Sequence, residues 1–141
     1  MAKEIRTEIT IQSTPEKVWS ILTGFEKYPV WNPFIKSLTG NVEVGNTISV
    51  SIAPPGGPGM TFKPVVLKNE RNKELVWLGS MLVKGLFDGE HRFEITDNGD
   101  GTVRFVQSEQ FKGIFVWMFN PQKTKEGFEL MNQKLKALAE A

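Results

Sequence analysis

The chain has 141 residues, with 17 Lys and Arg against 16 Asp and Glu, no cysteine and one histidine. That length suits a single domain, residues 1–141, able to bury roughly two-thirds of its unfolded surface. The balanced charge offers no field to recruit nucleic acid or an anionic membrane. Without cysteine there is no disulfide, thiolate zinc site or Cys nucleophile, and one histidine excludes the His-rich metal sites. Neither a metal nor a cofactor is expected, since no cofactor fingerprint is present. No apolar run approaches the ~20 residues that cross a bilayer. The opening MAKEIRTEIT is polar and alternating, unlike a signal or transit peptide. These features predict a cytoplasmic protein without integral membrane association, and leave its oligomeric state, monomer or weak dimer, open.

Ile5, Ile9 and Ile11 share one parity and Glu4, Arg6 and Glu8 the other, which predicts a half-buried strand. Thr14-Pro15-Glu16 then reads as an N-cap, a proline at the first helical position and an acid suited to the dipole. The helix that follows puts Val18, Trp19, Ile21, Leu22 and Phe25 on one face. Gly24 divides it into two short pieces if it acts as a breaker. In either case Pro29 is expected to end it by Tyr28. Trp31-Asn32-Pro33 turns the chain into a run of strands.

Ile48, Val50 and Ile52 alternate with serines, and Ala53 to Gly59 (APPGGPG) is a loop no strand interior tolerates. Phe62, Pro64 and Val66 share a parity in what reads as one strand, at an edge or bulged at Pro64. Asn69 to Lys73 is a turn, and Leu75 and Trp77 share a face beyond it. Strands over 87–96 and 103–115 flank Asn98-Gly99-Asp100-Gly101, a strong hairpin signal because these residues accept positive φ. Last, Asn120 as N-cap and Pro121 at the first helical position open a helix of about twenty residues, ~30 Å long. Phe128, Met131, Leu135 and Leu138 form its stripe.

Consecutive strands with segregated helices imply an α+β domain whose antiparallel sheet has one face covered by the long helix. Parity in the 87–115 hairpin is informative. Glu90, Arg92, Glu94, Arg104, Ser108 and Gln110 share the wet side, with Val106 as the exception. The other side carries His91, Phe93, Phe105, Gln107, Glu109 and Phe111. An unpaired buried polar group costs about 1–3 kcal/mol. His91, Gln107 and Glu109 therefore either satisfy one another in a solid core or line a cavity with water or a guest. The cavity is the reading preferred here. Trp31, Phe34, Phe62, Trp77 and Phe115, with Trp117 and Phe119, would extend its apolar wall. Met131, Asn132 and Leu135, with Phe128, would face it from the helix. Gly79, Gly89 and Gly127 would leave it space.

The STPEKVWSIL stretch resembles the SRPBCC, or START-like, superfamily, in its polyketide cyclase/dehydrase and lipid-transport branch. So do Trp31-Asn32-Pro33-Phe34, Phe62-Lys63-Pro64, Leu75-Val76-Trp77, the run Leu86 to Phe93, Gly101-Thr102, Glu109 to Gly113 and the final helix. The resemblance spans nearly the whole chain. It implies a helix-grip fold, with a curved sheet of about seven strands around the last helix and a hydrophobic cavity. It implies no single activity, since members bind lipids, hormones or pigments and some are cyclases, dehydratases or hydrolases. No catalytic residue carries over.

Three functions remain open. A binding protein would take a lipid, isoprenoid, polyketide or aromatic metabolite between sheet and helix, and this reading is favoured over an enzyme. A cyclase or dehydratase would use His91 and Glu109 as acid and base. An interaction module would use exposed aromatics near Trp117-Met118-Phe119. Each site residue has a structural alternative. His91 hydrogen-bonds across the sheet to Gln107 or Glu109 without chemistry. A bulge after residue 106 turns Glu109 outward. The aromatic side chains and the helix stripe are ordinary core. Asn132 faces water, and the 53–59 loop is a rigid turn rather than a lid.

Overall fold

The computed structural model describes residues 2–80, 85–116 and 120–141. Strand β1 (Ala2–Ile11) leads into α1 (Pro15–Leu22), whose first turn is capped by Thr14 Oγ1 accepting from Lys17 N at 3.2 Å. Gly24 does break this helix. A 3-10 turn (Phe25–Lys27) and a short α2 (Tyr28–Trp31) follow. Pro29 thus does not end α1, which has already stopped at Leu22. It sits in the first turn of α2, where its missing N–H has no partner to lose. The buried Tyr28 hydroxyl donates to the Leu22 carbonyl across this break, and burial pushes the phenol well above its ordinary range.

The remaining strands are β2 (Ile35–Thr39), β3 (Ser49–Ile52), β4 (Met60–Phe62), β5 (Val65–Glu70), β6 (Glu74–Ser80), β7 (Asp88–Asp97) and β8 (Val103–Lys112). All pairings are antiparallel. One sheet runs β1-β8-β7-β6-β5 and the other β2-β3-β4. The segment read as one strand through Phe62, Pro64 and Val66 is two. Pro64 cannot donate to a ladder, so the chain leaves the small sheet after Phe62 and enters the large one at Val65. This is why eight strands stand among the described residues where about seven were expected. The sheets stay in register through a Thr47–Val65 bridge and through Ile48 N and Pro64 O at 2.9 Å, forming one curved surface. β8 ends at Lys112 rather than at 115, because Gly113 takes φ +136°.

Helix α3 (Gln122–Glu140) starts one residue later than the sequence suggested, with Pro121 at the cap position and Asn120 Oδ1 accepting from Gln122 N at 3.0 Å. Phe128, Met131, Leu135 and Ala139 are its buried stripe. Leu138, expected there, is 40% exposed, because the last step of the stripe is four residues and not three. The helix lies along β1 and β8, and the sheets curve around it in the helix-grip α+β arrangement. Its end is tied to β1 by Gln12 N donating to Glu140 Oε2 at 2.8 Å and by Lys136 Nζ donating to Thr10 O at 2.9 Å. Lys136 and then the Gln12 amide hold the Glu140 carboxyl below its usual range. No helix among the described residues is long and apolar enough to cross a membrane.

Helix and small sheet meet at Gly127, where a Cβ would run into the buried ring of Phe34. That ring stands edge-on to Phe128 with centroids 5.4 Å apart. Gly127→Ala gains up to ~1 kcal/mol of helix propensity, but overpacking costs about 1–3 kcal/mol. The net expectation is a loss of about 1 kcal/mol, read as a lower urea midpoint at unchanged slope. Phe34→Leu should cost less in the Gly127→Ala background than alone. Equal costs in both backgrounds would show that the ring and the helix are not in contact.

Candidate functional site

A cavity of about 610 Å3 lies between the inner faces of β6, β7 and β8 and the small sheet. Of the residues expected around it, Phe34, Phe62, Trp77, His91, Glu109 and Phe111 stand in its wall, as does Phe115. Ile52, Met60, Leu86 and Phe87 join them, and sequence reading had not singled these out as site residues. Ile52 carried a usable signal, since it continues the inward parity of Ile48 and Val50. Pro54 and Pro58 of the 53–59 loop complete the rim, and Lys123 Nζ ties that loop to α3 by donating to Gly56 O at 3.2 Å.

The helix contributes much less than expected, with Thr124 alone of the described α3 residues in the wall. Phe128, Met131 and Leu135 are fully buried in the core. Sheet and helix are therefore in direct contact along most of α3, and the gap opens only at its first turns. Phe93 and Phe105 are core as well. Phe93 packs edge-on to Trp77 at 5.3 Å, and Phe105 stacks behind it. Trp31 packs against Tyr28 with centroids 5.3 Å apart, outside the wall. Gly79, Gly89 and Gly127 leave no empty volume. Phe62, the Glu109 carboxylate and Phe34 occupy the places their side chains would take. Trp117, Met118 and Phe119 lie outside the described residues.

The polar residues form a connected chain. β7 and β8 pair without a register shift from Asp88–Lys112 to Asp97–Val103, so no bulge turns Glu109 outward. Val106 is buried on the outer face, flanked by Glu8 and Glu94. His91 and Glu109 are direct cross-strand partners, with Nδ1 and Oε1 at 3.3 Å. His91 Nε2 meets Gln107 Oε1 at 2.9 Å, and Gln107 Nε2 donates to Asn132 Oδ1 at 2.8 Å. Asn132 Nδ2 donates to Thr7 Oγ1 at 2.8 Å, and Thr7 donates to the Gln107 carbonyl at 2.8 Å. Gln107 and Asn132 are thus buried behind the cavity and support His91 from the far side. Asn132 does not face water. Thr7, the fifth member of this network, was missed, although it shares the parity of Ile5 and Ile9.

Three aromatic rings surround the imidazole at short range, with Phe93 at 4.5 Å, Phe128 at 4.8 Å and Trp77 at 5.2 Å between centroids, and Phe105 backs Phe93. The result is a rigidly held imidazole–carboxylate pair at the end of an apolar cavity. Such a pair can orient a polar group of a guest or move a proton. Among the described residues no group of three His, Asp or Glu is placed to hold a metal ion.

A family model described as polyketide cyclase / dehydrase and lipid transport matches residues 2–140, and the chain belongs to that family. No curated protein matches it. Among solved structures it resembles major latex-like protein 151 from Panax ginseng, at TM-score 0.78 and 11% identity over 99% of this chain and 98% of that one. It also resembles norcoclaurine synthase from Thalictrum flavum in complex with dopamine and hydroxybenzaldehyde, at TM-score 0.73 and 14% identity over 98% and 86%. A third is the di-domain ARO/CYC StfQ from the steffimycin biosynthetic pathway, at TM-score 0.73 and 13% identity over 99% and 52%. At these identities the likeness is one of fold.

Thr7→Val removes the hydroxyl at nearly constant shape and strands Asn132 Nδ2, while the Gln107 carbonyl keeps its place in the β1–β8 ladder. A loss of about 1–3 kcal/mol is expected, measured by denaturant unfolding, with Thr7→Ser close to the parent. A neutral Thr7→Val would mean that Asn132 does not depend on the Thr7 hydroxyl.

Proposed function

We propose that the chain binds a small hydrophobic or amphipathic molecule in this cavity and acts in the cytoplasm. A lipid, isoprenoid, polyketide or aromatic metabolite has suitable chemistry. The observation that carries this reading is the cavity itself: about 610 Å3, walled chiefly by aromatic and aliphatic side chains, with one partly exposed acid and one buried imidazole at its end. Ligand sites commonly span 300–1,000 Å3 and are apolar with a few convergent polar groups. Burying ~300 Å2 of apolar guest surface contributes about 7 kcal/mol before the costs of ordering. The family's description, which includes lipid transport, supports the same reading.

A second reading, a cyclase or dehydratase, is favoured by the 3.3 Å contact between His91 and Glu109 in the cavity wall. The two readings separate by mutation. Under binding alone, His91→Ala and Glu109→Gln alter affinity. Under catalysis they abolish turnover while the guest is still held.

The binding reading is tested with N-phenyl-1-naphthylamine, a neutral probe that brightens in apolar surroundings. Saturable binding to the wild type is expected. Thr124→Trp, which projects a large ring into the cavity from the helix, should weaken it at least tenfold without altering the far-UV spectrum. Native mass spectrometry of the purified protein should show a retained small molecule in part of the population. A probe that does not bind, or binds both proteins equally, would overturn the reading.

A further inference from the structure

The hydrogen-bond chain behind His91 has only one possible direction, and this fixes what the cavity presents to a guest. The Gln107 carbonyl carries no proton, so Thr7, 2.8 Å away, must donate to it. The hydroxyl has one proton, so the Asn132 atom 2.8 Å from it must be the amide nitrogen. Asn132 then turns its oxygen to Gln107, which must donate its own amide nitrogen and present its oxygen to His91. His91 Nε2 must therefore carry a proton. The ring atom left is Nδ1, 3.3 Å from Glu109 Oε1. A bare Nδ1 facing a bare carboxylate would set lone pair against lone pair, so the contact holds a proton. On the ring that proton sits at Nδ1, and on the carboxyl it sits at Oε1, the oxygen that faces the ring. Glu109 Oε2 is left as an acceptor in both cases.

Oε2 lies over Gly89, occupying the place of the absent Cβ, and both residues stand in the cavity wall. No Lys or Arg stands among the described wall residues. The wall hydroxyls of Ser80 and Thr124 rotate to suit either a donor or an acceptor, so they do not discriminate, and the unpartnered Trp77 Nε1 is fully buried, out of a guest's reach. Resting on the binding reading above, we propose that the cavity selects neutral guests carrying a hydroxyl or phenol, which donates to Glu109 Oε2, over carboxylates of the same shape. A guest carboxylate would set its own lone pairs against Glu109 Oε2 in apolar surroundings, leaving two acceptors without a donor between them. Thr7, Asn132 and Gln107 are the positioning residues of this selectivity. The simplest fatty acids, bound carboxylate inward, fall outside it.

Displacement of N-phenyl-1-naphthylamine at neutral pH by 2-naphthol, 2-methoxynaphthalene and ionised 2-naphthoate tests the selectivity on one ring system. The naphthol is expected to bind at least tenfold more tightly than either of the others. In Glu109→Leu its advantage over 2-methoxynaphthalene should vanish. In Glu109→Gln, where the amide can turn an N–H to the guest, its advantage over naphthoate should shrink. Equal affinities in the wild type, a preference for naphthoate, or a naphthol preference that survives Glu109→Leu would overturn the proposal while leaving the binding reading intact. Failure of the probe itself to bind would take both down. The proton positions have a separate readout, because His91 is the chain's single histidine. With 15N-histidine, one pair of ring signals reports it. A protonated Nε2 is expected in the wild type and in Thr7→Ser, with the Nδ1–H form rising in Thr7→Val. A neutral Nδ1–H ring in the wild type would refute the direction of the chain.

Discussion

The contact between Asn132 of α3 and Gln107 of β8, 2.8 Å apart in the core, is the constraint on which the site depends. An amide pair at a helix–sheet interface is an unusual choice, because each amide must find partners or cost about 1–3 kcal/mol. Here the donors and acceptors form a ring that leaves from the Gln107 side chain and returns to the Gln107 carbonyl through Thr7. Three elements, β1, β8 and α3, are held by it. The helix cannot rotate or slide without breaking two bonds at once. The free acceptor on Gln107 then holds His91, and His91 holds Glu109. A helix packed by Leu at 132 would bury more apolar surface, but would leave the Gln107 amide stranded and the imidazole free to turn.

The cavity follows from two local breaks in regularity. Gly127 lets the Phe34 ring settle on the helix, which closes the gap between sheet and α3 beyond the first turns. Pro64 ends one strand and starts another in a different sheet, so β2, β3 and β4 can fold over the ends of β6 and β7 rather than extend their plane. The volume that remains is roofed by the small sheet and its 53–59 loop, with the Trp77–His91 pair in its floor. The interior is thus divided. Around Phe128, Met131 and Leu135 it is solid core, close-packed in the ordinary way. Toward Phe62 and Phe111 it is open.

Alternation and turn chemistry made much of this legible. The parity of Ile5 to Ile11, the glycine-rich hairpin turn and the stripe through Phe128, Met131 and Leu135 reflect physics that acts between near neighbours in sequence. The inward set His91, Gln107 and Glu109 was visible for the same reason, since strand period 2 carries through an unbroken register. What could not be read was which inward residues meet core and which meet space. Phe105 and Phe111 share a parity and a strand, yet one is walled in by Phe93 and the other lines the cavity. That difference depends on where Phe34 sits, a contact between residues 34 and 127 that no local pattern encodes. Leu138 and Ala139 show the same limit on a smaller scale, because one residue decides which side of the stripe is buried. Thr7 was overlooked because a threonine on a β-face is unremarkable until its partner across the core is known.

A cavity that ends on a carboxylate behaves differently empty and filled. Open to solvent, Glu109 Oε2 can be met by water, and the acceptor costs nothing. A guest that fills the space expels that water, and the surroundings of the carboxylate then become the aromatic and aliphatic wall. In that setting a hydrogen bond is stronger and a missing one more costly. Apolar burial and the polar contact are therefore not independent. The better a guest seals the cavity, the larger the penalty if it fails to supply a donor. At about 1–3 kcal/mol for an unpaired buried acceptor, that penalty corresponds to roughly fivefold to more than a hundredfold in affinity. It can cancel much of what the greasy wall contributes. Shape alone would make this interior permissive toward any hydrophobic molecule that fits. The acceptor held in place by His91 and the ring behind it turns a permissive space into a discriminating one.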